Sequence, residues 1–321
     1  MALTVLLLLA GLALILFGAN YLTEGSADMA KRMRISEFII GLTVVAMGTS
    51  LPEFVVSFLS ALQGKADVAV GNVVGSNIFN GLLILGVTAL ILPLHYTRDM
   101  LKKDMWFGIL AAGVLFVVAS DTLISGYPVN TISRSEGLLM LGFFLVFIIY
   151  TVYSAQGPRR QRATKRPVVV KRPLWFSSVM IVCGLAGLIF GGELFLNNAI
   201  VLARRLGASE TVIAVTLLAG GTSLPELSAS VISAVKKKPG LALGNVIGSN
   251  IFNVFFILGT SASIFPLTTG GILPGDLIVM FASSVLLFLC AFTFRKAMLD
   301  RTEGVIFIML YIAYIVWLLN R

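Results

Sequence analysis

Apolar stretches broken by short polar segments run along the whole chain. Ten of them, approximately 3–22, 37–62, 68–93, 105–120, 136–154, 174–196, 210–235, 240–266, 276–294 and 303–319, have helix-spanning character. A helix needs about 17–25 residues to cross a hydrocarbon core, whereas barrel strands would be about 10 residues long and alternate. The pattern predicts an all-α integral membrane protein with ten transmembrane helices. No Lys or Arg precedes the first stretch and no small-residue cleavage site follows it, so it is read as a retained helix and not as a signal peptide. Cys183 and Cys290 both fall inside expected spans and imply no disulfide framework.

Composition agrees with the pattern. Mean hydropathy is +0.98, with 58% hydrophobic and 12% charged residues, where a soluble domain has about a quarter charged. The net charge of +9 raises nucleic acid as a partner, and its distribution argues against that. With the N-terminus outside, the inner loops hold 19 of the 24 basic residues, from Lys31, Arg32 and Arg34 through Arg98, Lys102 and Lys103, the run from Arg159 to Arg172, and Lys236–Lys238 to Arg295, Lys296 and Arg301. The positive-inside rule then puts both termini outside a plasma membrane and the basic linker in the cytosol. That linker is read as a topology signal, with anionic lipid headgroups or a protein partner as the lesser alternative.

A shift of 173 residues aligns Phe17–Pro93 with Phe190–Pro266 without a gap, and 35 of the 77 positions are identical. The chain therefore divides into a first five-helix repeat (1–155), a linker (156–173) and a second five-helix repeat (174–321). Five is odd, so the halves are expected to lie in opposite orientations, the inverted repeat of many secondary transporters. Loop charges fit this. Gln63-Gly64-Lys65 is nearly bare, and its counterpart Lys236-Lys237-Lys238 is triply positive.

The candidate chemistry is Gly48-Thr49-Ser50-Leu51-Pro52-Glu53, repeated at Gly221 to Glu226. A charged side chain at the centre of a membrane helix costs about 2.5–3.5 kcal/mol, so a Glu there is read first as functional. Helical spacing places Ala46, Thr49, Ser50, Glu53, Ser57 and Ser60 on one face, and Ala219, Thr222, Ser223, Glu226, Ser230 and Ser233 on another. These are small residues, hydroxyls and one carboxylate, an oxygen-rich surface of the kind hard cations prefer. Pro52 and Pro225 have no N–H to give, so carbonyls near Ala46–Gly48 and Ala219–Gly221 are expected to be freed toward an ion, breaking helices 2 and 7. Helices 3 and 8 supply the opposing walls, with Asn72, Ser76 and Asn80, then Asn245, Ser249 and Asn253, at intervals of four. Gly71 with Gly75 and Gly244 with Gly248 form close-packing edges beside them.

Two ionised carboxylates side by side repel unless cations sit between them. One Ca²⁺ neutralises both, and so do two Na⁺. A single such motif also reads as a kink whose Glu bonds to a neighbour, and lone Ser and Thr residues often bond back to their own helix; duplication in register weighs against both. Glu193, whose repeat partner is Asn20, is read as a rim residue, Asp67 as lying outside the site, and His95 as interfacial with no metal cluster to join. An intramembrane acid protease would also use two carboxylates, but nothing here resembles a water-activating motif.

GTSLPE followed by GNVVGSNIFN in one half, and by GNVIGSNIFN in the other, resembles the paired α-repeats of the sodium/calcium exchanger family, within the cation/Ca²⁺ exchanger superfamily. The resemblance spans the ten-helix plan and is most specific at Ala46–Asn80 and Ala219–Asn253. It implies an electrogenic, alternating-access Na⁺/Ca²⁺ antiporter and no enzyme, with helices 2, 3, 7 and 8 broken and no cofactor beyond the transported Na⁺ and Ca²⁺. It implies Glu53 and Glu226 as shared ligands, with Thr49, Ser50, Ser76, Thr222, Ser223, Ser249 and the carbonyls of Ala46 and Ala219 completing the sites. It also implies that spans 1 and 6, running long through Met33 and Leu206, slide as a gating pair. Some members carry an acid at the position of Asn80 or Asn253; both are Asn here, which favours exchange without K⁺. The lack of a large loop between the halves resembles minimal prokaryotic members. An H⁺/Ca²⁺ exchanger and a cation channel are the alternative functions.

Overall fold

The structure is a computed structural model that describes residues 2–124, 126, 128–155, 173–206, 219–269, 271, 273–293 and 297–320. It is all-helical apart from two short ribbons, and its outer helices carry the exposed Leu, Val, Ile and Phe side chains of a membrane protein. Among the described residues, six helices are long and apolar enough to cross a membrane, or seven if one bent pair is counted.

Two of the six are 32 residues long and lie side by side: α1 (Ala2–Met33), and a helix over Leu174–Arg205 that becomes α10 in chain order. Both overrun their expected spans, 3–22 and 174–196, because their polar continuations remain packed instead of ending at the apolar boundary: Thr23 and Ser26 of α1 are buried. The pair is antiparallel and packs backbone to backbone. Gly11 sits against Gly191 and Phe195, Gly18 against Gly184 and Leu188, and Gly25 against Ser177. Glycines let the axes approach until dispersion acts between main chains, the usual adhesive where lipid removes the hydrophobic drive between helices.

Next comes the bent span. α2 (Glu37–Ile40) is capped by Ser36, whose hydroxyl accepts from the Ile39 N–H. A widened π turn (Gly41–Val45) leads into α3 (Ala46–Thr49), and α4 (Leu51–Leu62) departs at 47°. The bend centres on Ser50, followed by Pro52 in the first turn of α4, where a missing N–H is harmless.

α5 (Ala66–Ile78) runs through a second π turn (Phe79–Ile84) into α6 (Leu85–Ile91). Strand β1 (Leu94–His95), a π turn at Met100–Asp104, α7 (Met105–Val118), α8 (Asp121–Ile124), β2 (Asn130–Ile132) and α9 (Arg134–Ala155) follow. The expected span 105–120 is thus a helix of 14 residues preceded by a widened turn. His95 is exposed, in strand β1.

After α10, the description resumes at α11 (Ala219–Gly221) and α12 (Leu224–Val235). Most of the expected linker, 156–172, and the first part of the expected span 210–235 lie outside the described residues. α13 (Pro239–Ile251), a π turn (Phe252–Leu258) and α14 (Gly259–Ile264) mirror α5 to α6. Then come β3 (Leu267–Thr269), α15 (Pro274–Leu289), β4 (Met298–Leu299) and α16 (Arg301–Leu319). Span 276–294 was expected to enclose Cys290, but the helix ends at Leu289 and Cys290 begins the turn after it.

Two features tie the halves together. Each half's short strand after its third span pairs antiparallel with a strand of the other half, β1 with β4 and β2 with β3. Also, α5–α6 and α13–α14 form the interior, with 72% and 89% of their apolar windows buried, against 17% for α9 and for α16. Gly244 and Gly248 of α13 meet the carbonyls of Phe38 and Leu42 so closely that a methyl group on either would collide, which fits the close-packing edge expected there. Gly75 has no such neighbour among the described residues.

Candidate functional site

α4 and α12 begin in mid-span, and each carries its glutamate in the first turn. Glu53 and Glu226 are fully buried, as are Ser50 and Ser223 at the corners preceding them. The two corners have nearly the same conformation, φ −83° and ψ 10° at Ser50, φ −87° and ψ 9° at Ser223.

The glutamate carboxylates receive their hydroxyl bonds from across the halves. Ser50 Oγ donates to Glu226 Oε1 at 2.9 Å, and Ser223 Oγ donates to Glu53 Oε1 at 2.9 Å. The threonines cross over too: Thr49 Oγ1 donates to Asn245 Oδ1 at 3.2 Å and Thr222 Oγ1 to Asn72 Oδ1 at 3.4 Å. Both asparagines are thereby oriented. Asn72 Nδ2 reaches Ser57 Oγ at 3.0 Å and the Glu53 carbonyl at 3.3 Å, and Asn245 Nδ2 reaches Ser230 Oγ at 3.0 Å and the Glu226 carbonyl at 3.3 Å. Asn72 and Asn245 therefore brace the glutamate helices, with both ends of the amide occupied.

The Ala46 carbonyl differs from expectation. It accepts the Ser50 N–H at 3.0 Å, so the bend at Ser50 does not free it from the helix. A carbonyl has two lone pairs, and Thr49 Oγ1 at 3.3 Å and Ser249 Oγ at 3.5 Å also point at Ala46 O. What gathers at Ala46 is a cluster of three oxygens from α3 and α13. Ala219, its counterpart, is the first residue of α11.

Among the described residues, five buried oxygens on these helices have no hydrogen-bond partner: Glu53 Oε2, Glu226 Oε2, Ser76 Oγ, Asn80 Oδ1 and Asn253 Oδ1. Buried polar groups are ordinarily paired, and an orphaned acceptor costs about 1–3 kcal/mol, more if it is charged. Four of them are carboxylate or amide oxygens, which offer lone pairs and no proton, and so are able to take a donor or a cation. Among the described residues no group of three or more His, Cys, Asp or Glu gathers to hold a metal; the two glutamates stand with neutral oxygens, a donor set suited to hard cations.

The structure brings together Glu53, Glu226, Ser50, Ser223, Thr49, Asn245 and Ala46 through these bonds, and Thr222 through Asn72. Glu193 is exposed on α10, away from the network. Asp67 accepts the Gly271 N–H at 2.9 Å and joins the halves near β3 instead of the glutamates. Sequence reasoning missed Asn77 and Asn250, which lie one residue beyond Ser76 and Ser249, off the interval-of-four stripe. Asn77 Oδ1 accepts from Asn253 Nδ2, and Asn250 Oδ1 accepts from Asn80 Nδ2, both at 3.1 Å. Their signal was their own repetition: both stand in the duplicated GSNIFN.

Comparison with known proteins places this geometry. The profile of the family described as sodium/calcium exchanger protein matches residues 3–153 and 176–320. The chain is 37% identical to a protein named putative antiporter CaxA from Alkalimonas amylolytica over 98% of each chain. It is 33% identical to the sodium/calcium exchanger MaX1 of Methanosarcina acetivorans over 97% of each. A solved structure of the sodium-calcium exchanger NCX_Mj, soaked with zero Na⁺ and Ca²⁺, superposes with a TM-score of 0.84 at 31% identity, covering 99% of both chains.

Proposed function

Because the chain belongs to the sodium/calcium exchanger family, we propose that it is an electrogenic antiporter that exchanges Ca²⁺ for several Na⁺ by alternating access at the site between α4 and α12. The observation that carries this reading is the set of orphaned acceptors, above all Glu53 Oε2 and Glu226 Oε2. Two carboxylates buried in a membrane, each with a single hydroxyl donor on Oε1 and none on Oε2 among the described residues, need positive charge beside them. One Ca²⁺ supplies it, or two Na⁺, with any further Na⁺ held by neutral oxygens from Ser76, Ser249, Asn80, Asn253, Thr49, Thr222, Ser50, Ser223 and the carbonyls of Ala46 and Ala219. A site that one set of ions fills and the other must vacate couples the two fluxes.

The same proposal includes ten spans in two inverted five-helix repeats, 1–155 and 174–321, joined by a cytosolic basic linker, in the plasma membrane with both termini outside. The crossed pairs of the site support it, since Ser50–Glu226 and Ser223–Glu53 are interchanged by a two-fold relation between the halves. Asn80 and Asn253 add no charge, so the two glutamates set the balance and K⁺ is not required.

The test is ⁴⁵Ca²⁺ uptake into proteoliposomes with Na⁺, K⁺ and H⁺ gradients imposed one at a time. Only the Na⁺ gradient should drive uptake. Uptake driven by a pH gradient in the absence of Na⁺ would make the protein an H⁺/Ca²⁺ exchanger, and flux with no counter-ion would make it a channel. Glu53→Gln and Glu226→Gln should each abolish driven flux, and wild-type flux from either would remove the site from this place.

A further inference from the structure

Asn77 and Asn250 form a reciprocal pair at the contact between α5 and α13. Asn77 Nδ2 donates to the Asn250 backbone carbonyl at 3.3 Å, and Asn250 Nδ2 donates to the Asn77 backbone carbonyl at 3.4 Å. Asn77 Nδ2 also faces Met280 Sδ at 3.9 Å. A backbone carbonyl and a thioether only accept, so this end of each amide must be the NH₂ group, and the oxygen of each must face the other way. There Asn77 Oδ1 takes the amide N–H of Asn253, and Asn250 Oδ1 takes that of Asn80, both at 3.1 Å.

The consequence passes one residue further. An amide that must present its NH₂ to Asn77 or Asn250 presents its oxygen on the opposite side. Asn80 Oδ1 and Asn253 Oδ1 are fully buried there and find no donor. Asn80 stands four residues after Ser76, itself orphaned, and Asn253 stands four after Ser249, which reaches Ala46 O.

Building on the central cation site proposed above, we infer that Asn77 and Asn250 are positioning residues that lock the amides of Asn253 and Asn80 with their oxygens toward the transported ion. Their part is to orient and not to coordinate: the NH₂ of each is spent on the main chain and its oxygen on the neighbouring site amide. The order of orientation runs from main chain to Asn77 and Asn250, then to Asn253 and Asn80, then to the ion. Without the lock, each site amide is free to turn its NH₂ toward a cation, which opposes binding. The pairing is specific: Asn250 serves Asn80, and Asn77 serves Asn253.

Equilibrium binding of ⁴⁵Ca²⁺ and of ²²Na⁺, each alone, to the purified full chain tests this through double-mutant cycles. Asn80→Ala should weaken one of the ions about ten-fold and Asn250→Leu about five-fold, the scale of a lost hydrogen bond. The double variant should bind as Asn80→Ala alone does, because Asn250 acts only through Asn80. Asn250→Leu combined with Asn253→Ala should instead be multiplicative, and Asn77→Leu should show the mirror pattern. If either leucine variant is not recovered monodisperse, the alanine variant makes the same deletion with less change in shape. Multiplicative losses in the Asn250/Asn80 and Asn77/Asn253 cycles, or an Asn80→Ala variant that binds both ions normally, overturn the inference. Glu53→Gln separates the two levels: if it too binds normally the central site itself is refuted, and if it alone fails to bind only the positioning role is lost.

Discussion

Ser50 donates its hydroxyl to Glu226 at 2.9 Å, a bond between residues 176 positions apart that joins the two halves at the corner of the bent span. The return bond, Ser223 to Glu53, has the same length. Each serine spends its proton on the other half's carboxylate and keeps its lone pairs. Each carboxylate is fixed through Oε1, and its Oε2 is left without a partner. The arrangement pre-aims one oxygen per glutamate while the neighbouring hydroxyl oxygens remain able to coordinate.

Ser50→Ala and Ser223→Ala should therefore weaken Ca²⁺ by similar factors, although the residues lie in different halves. A hydrogen bond to a charged group contributes about 1.5–3 kcal/mol, so half-saturation of ⁴⁵Ca²⁺ uptake should rise about ten-fold or more in each. Wild-type half-saturation in either, or a severe loss in one beside none in the other, would contradict the reciprocal role.

Ion binding should also appear as stability. If the five acceptors left unpaired among the described residues are the ion's ligands, binding should offset the cost of leaving them unpaired, and a ligand at 100 times its Kd stabilises by about 2.7 kcal/mol. Thermal unfolding in detergent should shift upward on adding Ca²⁺ or Na⁺ to protein in chelator and choline buffer. The Glu53→Gln/Glu226→Gln double variant should show no shift with Ca²⁺. A full shift in that variant would mean that the stabilising ion sits elsewhere.

Much of this was legible beforehand, and the reason is duplication. The repeated GTSLPE and GNVxGSNIFN motifs gave the glutamates a partner, and apolar length located the spans that hold them. The π turns were not legible. Three of them lie at Gly41–Val45, Phe79–Ile84 and Phe252–Leu258, the last two carrying Asn80 and Asn253 and the first leading into Ala46. A widened turn leaves hydrophobic periodicity almost untouched, yet it rotates everything after it, which is why such turns recur at functional sites. Stripe counting at intervals of four also grouped Asn72 and Asn245 with the orphaned residues, although their amides are used as braces; both stand in regular helix before the π turns, and what sets them apart is the hydrogen bonds they make to Ser57 and Ser230. The same counting passed over Asn77 and Asn250, whose role depends on a cross-helix pair that one helix's periodicity cannot reveal.

The α1–α10 contact makes a prediction about assembly. A methyl group at Gly184 would lie 2.5 Å from the Leu22 backbone nitrogen and 2.8 Å from the Gly18 carbonyl, main-chain atoms that cannot rotate away. Overpacking of this kind costs about 1–3 kcal/mol. Gly184→Ala should lower the melting midpoint measured in detergent, whereas Gly142→Ala, with no described atom within 4 Å of the added methyl, should leave it unchanged. Equal midpoints for the two variants would deny that α1 and α10 touch through their backbones.

Asn253 is neutral, and an acid in its place should add a titratable charge to the site. In Asn253→Asp the new carboxylate would stand in a site whose two glutamates already balance one Ca²⁺, so a third negative charge would be buried without a counter-ion. It would also face Asn77 Oδ1, which now accepts the Asn253 amide N–H at 3.1 Å. An ionised carboxylate has no proton to offer that oxygen, and the two acceptors would repel; a protonated one restores the bond. Both effects favour the acid form, so the variant should bind a proton at residue 253 that the Asn253 amide cannot bind. Relative to the wild type at the same pH, Na⁺-driven ⁴⁵Ca²⁺ uptake by Asn253→Asp should fall as pH rises and the proton is lost, unless a further monovalent cation such as K⁺ is added to take the proton's place. Profiles that superimpose on the wild type at every pH, with and without K⁺, would remove Asn253 from the site.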